Sequence, residues 1–533
     1  MVVFFPLLAN PADIENWDNR EYWEEKMLPS LAPPVWANAL DPHPYPVTQD
    51  LSQPKIYVEV YDYSNFTQFI EFMKKIKPEL NQLPQDVLEK ALKPLWETEK
   101  QRIGKIVLYR MVYTYDFTAY KRPLDIIFKM RFDIGNILYK DMRQGFGIFI
   151  TRPDNITISL IPGYSYPTNL YDINQYADLR DTKWLNALSI PYVINSETKT
   201  VSIPSDEDWY FSLNEYGSEA QNLENGLGII LIVKPILDRA GETLTPGQSI
   251  DLMTVLFSKA EKGVLKGESG PLNGVYKFEF IFLFRLKPED RNIDPKIIPE
   301  RAVVGGAYGL LGTDKWSRDL WPALIYGVRW ALLIGIITAL VSTLWGVIYG
   351  MTSAYIGGAI DVLMQRVAQV VYSLPVLPLL IMFTYFIGRS IWLVVFVLIV
   401  FGWVGIQFVV RSMVLQIKEQ TYIEAAKSLG ASNKRILFRY IFPQLLPYSF
   451  ASMALSVPGA ILAEAGLSFI GLGDPSIVTW GKLLHDAQIG GAVLANAWWW
   501  VLPPGLMIAI TALTFVMIGM ALEKIIEPRL RTR

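Results

Sequence analysis

The second half of the chain alternates between long apolar runs and short polar segments. None of its five long runs contains Asp, Glu, Lys or Arg, and they extend from Trp330 to Tyr349, Val367 to Ile387, Ile391 to Val410, Ile441 to Ala463 and Ala497 to Leu522. A helix of about 20 residues crosses the ~30 Å hydrocarbon core of a bilayer. Buried helices of soluble proteins can be equally apolar, but five such runs in succession favour transmembrane helices.

The basic residues beside these runs indicate how the chain crosses the membrane. Lys and Arg of short loops are retained on the cytoplasmic side. The short loops on one side hold only Arg389 and Lys482, whereas the other side carries Arg366, Arg411, Lys418, Lys427, Lys434, Arg435, Arg439, Lys524, Arg529, Arg531 and Arg533. We therefore predict a multi-pass protein of the plasma (cell) membrane with a cytoplasmic C-terminus. Five crossings then put the long region before the first run outside the cytoplasm.

That region, residues 12–300, has the pattern of a folded extracytoplasmic α+β domain. Polar residues alternate with apolar or aromatic ones in Lys55 to Tyr63 and in Val275 to Leu286, as they do in strands. Apolar residues recur at helical spacing in Phe66 to Ile76 and in Gln85 to Lys100. The sequence therefore predicts strands and intervening helices in one large external domain.

Two further features of this domain follow from its sequence. The Pro-rich segment Lys287 to Pro299 is predicted to be a tether that leads to an external pre-helix segment, residues 301–329. Asn-x-Thr triplets begin at Asn65 and Asn155. An external domain can carry glycans at such triplets, although they also occur by chance.

The N-terminus is apolar but short. Met1 to Ala9 is less than half the length of a spanning helix and has no charged region before it. Residues 1–11 are therefore either the end of a first transmembrane helix whose start lies upstream, or a segment that leaves export of the external domain to the later helices.

The composition excludes several classes of function. A net charge of −2 gives no general basic field for nucleic acid, and Cys 0 excludes disulfides, thiol chemistry and cysteine-based zinc sites. The chain has two histidines, which are too few for most catalytic or metal-ligating clusters, and we predict neither kind of site. No G-x-x-x-x-G-K-[ST] phosphate loop occurs, so the chain is not expected to hydrolyse ATP by that route.

The predicted cytoplasmic loop, residues 411–440, carries the most informative segment. Thr421 and Glu424 have the spacing of a capping box, and Gly430 is suited to end a short helix. Ala425 and Ala426 would give that helix a face with little side chain, which lets the backbone of another protein approach. A capped helix between two spans has the same pattern without any docking role, so the spacing alone leaves both interpretations open.

The segment Glu424-Ala425-Ala426 followed by Gly430 closely resembles the EAA signature of ABC importer permeases. Ile441 and Pro443 also match that signature, whereas Phe442 stands where Leu is usual. In that family the loop forms coupling helices that sit in a cleft of the ATP-hydrolysing subunit. The resemblance therefore implies an ATPase-coupling site made of Tyr422, Glu424, Ala425, Ala426, Leu429, Gly430 and Ala431.

The resemblance continues through the whole membrane region and indicates the C-type permease subunit of the oligopeptide/dipeptide/nickel branch. The matching elements are Gly312-Thr313-Asp314, Ser317-Arg318-Asp319, Ile325 to Arg329, Gly357-Gly358, Asp361, Arg366, Pro375, Leu467 to Gly473, Trp480-Gly481 and Glu527 to Arg531. Ser317 replaces a usual Gly, and Gln369 stands where Asp is usual. Phe5 to Ala9 resembles the outer end of that subunit's first helix, which favours a truncated start.

The resemblance implies a fold and a set of partners. The fold is an α-helical MetI-like permease with five core transmembrane helices in residues 330–533. The function implied is that of a non-catalytic permease subunit, which forms the translocation path of an ATP-driven importer with a second, B-type permease. Two ATP-binding cassette subunits would use ATP and Mg, and an extracellular solute-binding protein would deliver the substrate. Oligopeptides or dipeptides are the expected substrate, with oligosaccharides or nickel as alternatives.

Two interpretations remain beside this one. Glu464, at the outer end of the fourth run, could line the substrate path, because carboxylates within a membrane tend to be functional. The family also carries Glu there, so a structural pairing within the subunit is the competing interpretation. The alternative function is a membrane-anchored extracellular receptor or adhesin, in which the external domain acts and the helices only anchor it.

Overall fold

The structure, a computed structural model, describes residues 8–134, 142–195, 201–204, 207–223, 227–244 and 249–526, with side chains up to residue 522. The chain forms two compact units. One consists of Trp23–Leu310, and the other, here called the helical unit, consists of Met1–Tyr22 and Leu311–Arg533. The domain limits that the sequence suggested, at residues 11, 300 and 329, stay a prediction. The predicted helix end at residues 1–7 and the matching tail Glu527 to Arg531 lie outside the described residues.

The first half of the chain contains short helices and most of the strands. The helices are α1 (Pro11–Glu15), α2 (Arg20–Lys26), α3 (Phe66–Ile76), α4 (Gln85–Glu99), α5 (Thr182–Ala187), α6 (Leu213–Ala220), α7 (Gly228–Ala240) and α8 (Leu252–Phe257). The strands are β1 (Gln49–Asp50), β2 (Lys55–Asp62), β3 (Lys105–Phe117), β4 (Asp125–Asp133), β5 (Gly145–Thr151), β6 (Thr157–Ser159), β7 (Ala177–Asp178), β8 (Val193–Ile194), β9 (Val201–Ser202), β10 (Asp208–Ser212), β11 (Gly274–Leu286) and β12 (Lys296–Gly305).

Antiparallel sheets form the centre of the unit Trp23–Leu310. Among the described residues, the larger sheet has the order β2-β3-β11-β5-β6 with β7 beside β5, and the smaller one has the order β1-β12-β4-β10. Alternation along β3 sends its side chains to two faces. On one face Tyr113 contacts the rings of Phe128 in β4 and Phe280 in β11, with centroids 5.0 and 6.0 Å away. On the other face Leu108 packs in a second core with Phe69 of α3.

The strands and helices predicted for this unit are present. The predicted helix Phe66 to Ile76 is α3 with the same ends, and the side chain of Asn65 caps it by accepting from the amide of Thr67 at 3.0 Å. The predicted strands correspond to β2 and β11, which both pair with β3. Here the sequence was sufficient because alternation along a strand and helical spacing along a helix are local signals, although β11 is covered by a core on both of its faces.

The structure differs from the sequence at Lys287 to Pro299, where we expected a tether. The strand β12 begins within this segment and pairs with β4 along its length. Pro299 has no main-chain N–H for a ladder, and the register shifts between Pro299 and Arg301. A bulge thus accommodates a proline whose presence suggested a loop.

The helical unit contains α9 (Leu320–Ile356), α10 (Gly358–Ser373), α11 (Val376–Ile387), α12 (Ile391–Lys418), α13 (Thr421–Ser428), α14 (Asn433–Ile436), α15 (Phe442–Phe469), α16 (Trp480–Ile489) and α17 (Trp498–Ile526). In the described residues, four helices are long and apolar enough to cross a membrane, one of them running through α14 and α15. The pair α10 and α11 passes the same test together but is bent by 76°. The predicted five spans therefore apply only if this bent pair crosses as one span.

Close contact between α9 and α12 organises the helical unit. A Cβ on Gly346 would lie 2.8 Å from the carbonyl oxygen of Trp403, and one on Gly350 would lie 2.6 Å from that of Gln407. Real Cβ atoms do not approach carbonyl oxygens this closely, so these glycines let the two backbones meet. The packed helices place the end of α12, and the segment that follows it, beside the end of α9.

Candidate functional site

The predicted coupling loop folds as two short helices between two long ones. We call residues 419–441 the coupling segment; it holds α13 and α14 and then a π-helical turn, Leu437–Ile441, that leads into α15. Its apolar side chains Ile423, Ile436 and Ile441 are buried in one cluster with residues of α9 and α12, including Met351 and Val414. The inner face of the segment is therefore fixed to the membrane helices.

Gly430 ends α13 in the left-handed region, with φ +81°. The amide of Gly430 donates to the carbonyl of Lys427 at 2.9 Å, and the amide of Ala431 donates to that of Ala426 at 3.0 Å. These two bonds form a Schellman motif, which satisfies carbonyls that the end of a helix leaves open. The predicted helix end at Gly430 is confirmed.

The predicted capping box is not found. The N-cap residue of α13 is Gln420, which makes no side-chain cap hydrogen bond in this described segment, and Thr421 is already the first helical residue. Glu424 is consequently in the first turn with an exposed side chain, where its charge is favourable near the positive end of the helix. The sequence correctly predicted that a helix begins here, but its N-cap is Gln420, one residue before the predicted Thr421.

The predicted coupling residues divide between the two faces of α13. Tyr422, Glu424, Ala425 and Gly430 are exposed, and Leu429 is 89% exposed, which is unusual for a leucine. Ala426 is buried and Ala431 is half-buried. The two alanines do not form one smooth face as we expected, because neighbouring helical residues point about 100° apart. Ala426 packs inward, and Ala425 lies on the outer face with Glu424.

Polar contacts tie the coupling segment to the neighbouring helices. The hydroxyl of Tyr355 in α9 donates to Asn433 Oδ1 at 2.9 Å, and Lys418 Nζ donates to the carbonyl of Ala354 at 3.3 Å. Gln444 Nε2 contacts the hydroxyl of Tyr422. The segment is thus held by hydrogen bonds as well as by its apolar face.

A carboxylate and a guanidinium connect α10 with α12 beside this segment. Arg411 donates to Asp361 from Nε at 2.9 Å and from Nη2 at 2.6 Å, and the hydroxyl of Ser353 also donates to Asp361. The sequence singled out Asp361 only as a matching position and did not pair it with Arg411. No local signal could reveal the pair, because the two residues are 50 positions apart.

The motif residues that precede α9 form a second cluster in the helical unit. Arg318 lies between Asp314 and Asp486, with Nε–Oδ2 and Nη2–Oδ2 distances of 2.6 and 2.8 Å, and its guanidinium lies 4.2 Å from the ring centroid of Trp17. Burial raises the pKa of the Asp314 carboxyl, and the charge of Arg318 opposes that rise. These contacts connect the segment before α9 with α16 and with the residues after α1.

Glu464 is buried on α15. Ser468, one turn later, donates its hydroxyl to Glu464 Oε1 at 2.7 Å. A Cβ on Gly481 would lie 2.6 Å from Ser468 Cβ, so α16 closely covers this region. Among the described residues, no group of three or more His, Cys, Asp or Glu could hold a metal ion.

Comparison with known proteins decides what kind of chain this is. Residues 331–532 match the family described as binding-protein-dependent transport system inner membrane component. The dipeptide transport system permease protein DppC of Bacillus subtilis is 37% identical over 221 residues, which cover 41% of this chain and 68% of the relative. The chain belongs to this family. The oligopeptide transport system permease protein OppC of B. subtilis is 34% identical over 221 residues, 41% of this chain and 72% of the relative.

The relationship concerns the helical unit. An inward-facing structure of the MetNI methionine ABC transporter aligns with 38% of this permease and 96% of that chain, at 17% identity and a TM-score of 0.32. The family consists of non-catalytic membrane permeases of ABC transporters, which confirms the resemblance to the oligopeptide/dipeptide branch of ABC importer permeases. The alternative of a receptor or adhesin is not favoured. The unit Trp23–Leu310 lies outside the residues that match the family.

Proposed function

We propose that this permease couples to its ATPase subunit through the exposed face of the coupling segment. The observation that carries this proposal is the division of α13: Ile423 and Ala426 are buried against the membrane helices, while Glu424, Ala425 and Leu429 are exposed. A leucine beside an acidic residue and a small residue, on a helix fixed from behind, suits a protein contact. The site residues are those of the predicted set, with Ala426 and Ala431 supporting the helix from within.

The complex contains partners that this chain needs for transport. A second, B-type permease completes the translocation path, two ATP-binding cassette subunits hydrolyse ATP with Mg, and an extracellular solute-binding protein delivers the substrate. The family description, which names a binding-protein-dependent system, supports this composition. No cofactor belongs to this chain in the proposal.

The substrate is a short peptide. The relatives that support this are a dipeptide and an oligopeptide transport permease. Oligosaccharides and nickel are the competing substrates, and the solute-binding protein decides among them. Binding of peptides and oligosaccharides to the cognate solute-binding protein tests this step separately from the coupling site.

The coupling segment and the C-terminus lie in the cytoplasm, and the unit Trp23–Leu310 lies outside the plasma membrane. The uneven distribution of Lys and Arg supports this orientation.

The external unit has two glycan sites. Asn155 is exposed in the turn between β5 and β6. The side-chain oxygen of Asn65 caps α3, and its amide nitrogen remains available for a glycan. The external unit braces the solute-binding protein or the partner permease, and co-purification with and without residues 12–300 tests this role.

Glu464 has a structural role in this proposal. Its hydrogen bond with Ser468 and the close cover by α16 support a pairing within the subunit rather than a position on the substrate path. Replacement by Gln, which keeps an acceptor, should then preserve transport, whereas replacement by Leu should reduce the yield of folded protein.

The coupling site is tested by a charge reversal. Glu424→Arg should lower the amount of ATPase subunit that co-purifies in mild detergent, while the elution profile of the permease stays that of a folded protein. Glu71→Arg makes the same change on α3, where Glu71 is also exposed on a helix. Undiminished co-purification and transport with Glu424→Arg would exclude the proposed contact.

A further inference from the structure

Three helices meet at one buried polar cluster near the coupling segment. Asp361 in α10 receives the two hydrogen bonds from Arg411 in α12 and one from Ser353 in α9. Gln365, one turn after Asp361, donates to Ser353 Oγ at 3.0 Å and to Gln407 Oε1 at 3.2 Å. Ser353 and Gln407 are both fully buried. The cluster therefore joins α9, α10 and α12 through side chains that have one well-defined arrangement.

The position of the cluster relates it to the coupling segment. Arg411 lies seven residues before Lys418, the last residue of α12, which corresponds to about 10 Å along a helix. Asp361 follows the corner between α9 and α10, where Gly357 and Gly358 have φ +70° and +58°. Tyr355 joins the coupling segment to the end of α9, whereas Lys418 and Arg411 join α12 to the two helices that meet at this corner.

The helix α10 depends on this connection because it buries little else. Of the residues that the structure describes in α10, Asp361 and Ala368 are the two that are buried. The following helix α11 likewise buries Leu380 and Thr384 among its described residues. Apolar packing within this chain therefore fixes the bent pair weakly, and the bidentate bond from Arg411, together with the bond from Gln365 to Gln407, supplies its directional contact with α12.

The ion pair is partly exposed, since the side chain of Arg411 is 31% accessible and that of Asp361 is 13% accessible. Such a pair adds little net stability, but removing one partner leaves the other charge without its counter-charge. Such a pair is better suited to fixing one arrangement of two helices than to strengthening the fold. Arg411 is also matched to this task, since its planar fork binds a carboxylate with both orientation and distance defined.

We propose that Asp361 and Arg411 are positioning residues that make the bent pair α10 and α11 move together with α12 when the coupling segment is displaced. The inference rests on the proposed coupling function. A displacement of α13 and α14 reaches α12 through the main chain. It reaches the Gly357-Gly358 corner directly through the bond between Asn433 and Tyr355, and through α12 by way of Lys418 and Arg411. Without the ion pair, the neutral hydrogen bond from Gln365 to Gln407 still joins α10 to α12, but the charge-assisted bidentate contact is lost.

The test uses the assembled transporter in proteoliposomes and measures solute transported per ATP hydrolysed. The variants are Asp361→Asn, Arg411→Gln and the exchange of both charges, Asp361→Arg with Arg411→Asp. Arg366→Gln is the matched control, because Arg366 lies on the same helix and, among the described residues, forms no ion pair with Asp361. We expect each single variant to retain the ATPase subunits and ATP hydrolysis but to transport about tenfold less solute per ATP. The exchange should restore the ratio towards that of the native chain.

Three results would overturn the inference: a native ratio in both single variants, loss of the ATPase subunits from them, or an exchange variant as uncoupled as the single ones. If the Asp361→Asn chain does not fold into the membrane, so that it cannot be purified at all, Asp361→Glu keeps the charge and moves the carboxylate by one methylene; a lowered ratio then supports the inference and a native ratio rejects it. Failure of the native chain to retain ATPase subunits would instead reject the proposed coupling function.

Discussion

The indole N–H of Trp480 donates to the main-chain carbonyl of Leu324 at 2.8 Å, which connects the first residue of α16 with the second turn of α9. A Cβ on Gly327 would lie 2.5 Å from Cδ1 of the same indole. The sequence elements Ile325 to Arg329 and Trp480-Gly481, which matched the family separately, therefore meet in space.

This contact predicts that Gly327→Ala destabilises the helical unit. The added methyl group would force the indole away from Leu324, and overpacking of this kind costs about 1–3 kcal/mol. We expect a lower apparent melting temperature of the detergent-solubilised chain, measured by loss of the monodisperse elution peak. Gly405→Ala is the matched control, because among the described residues nothing lies within 4 Å of its Cβ position in α12. Equal melting temperatures for the two variants would contradict the requirement for glycine at 327.

Gly430→Ala should weaken coupling more than Gly430→Asn. At φ +81° an alanine is strained by about 1 kcal/mol, whereas asparagine tolerates this conformation better. Described atoms leave the Cβ position of Gly430 open, so the effect comes from the backbone and not from a clash. Retention of the ATPase subunit in mild detergent should decrease in the order glycine, asparagine, alanine. Equal retention of the ATPase subunit with glycine, asparagine or alanine at position 430 would show that the Schellman turn does not contribute to the coupling contact.

Because the sequence contains no cysteine, single cysteines can be introduced and labelled to test the orientation of the chain in the membrane. A membrane-impermeant maleimide should label Val87→Cys, on the exposed side of α4, in intact cells, and Leu429→Cys only in inside-out vesicles. Ile423→Cys should remain unlabelled in both, because Ile423 is fully buried. Labelling of Leu429→Cys from outside intact cells would invert the proposed topology.

The surroundings of Asp125 predict a pH dependence of the stability of the unit Trp23–Leu310. Burial raises the pKa of its carboxyl to about 6, although Ser212 and the amides of Asn214 and Ile126 donate to it and oppose the rise. The folded state therefore holds a proton that the unfolded state has released between about pH 4 and 6, and stability falls as pH rises through this range. The difference amounts to about 3 kcal/mol, fully present below pH 4 and lost above pH 6.

Asp125→Asn should not show this dependence, since its amide stays neutral and its oxygen can still accept from the Asn214 amide. Denaturant unfolding of the solubilised chain, followed by the fluorescence of buried tryptophans such as Trp209, gives the comparison. We expect the variant to gain stability relative to the native chain as pH rises from 4 to 6. A gap that stays constant over this range would show that Asp125 ionises at its ordinary pKa.

The bulge at Pro299 and the bend between α10 and α11 illustrate where local patterns were insufficient. Proline disfavours a strand because it has no main-chain N–H to donate. In β12, which pairs with β4, a register shift after Pro299 accommodates the missing donor. The uncharged run Val367 to Ile387 looked like one straight helix, although Leu374 and Pro375 separate α10 from α11. A residue before proline is biased away from the helical region, which is consistent with this break.

The sequence by itself determined the apolar runs, the strands β2 and β11, the helix α3 and the turn at Gly430. Each of these depends on the spacing of neighbouring residues or on one residue's backbone freedom, and both are local properties. Only the tertiary structure decided that Ala426 faces inward and Ala425 outward, and that Asp361 meets Arg411. These outcomes depend on which helices pack together, and packing joins residues that are far apart in the chain and leave no common pattern in its sequence.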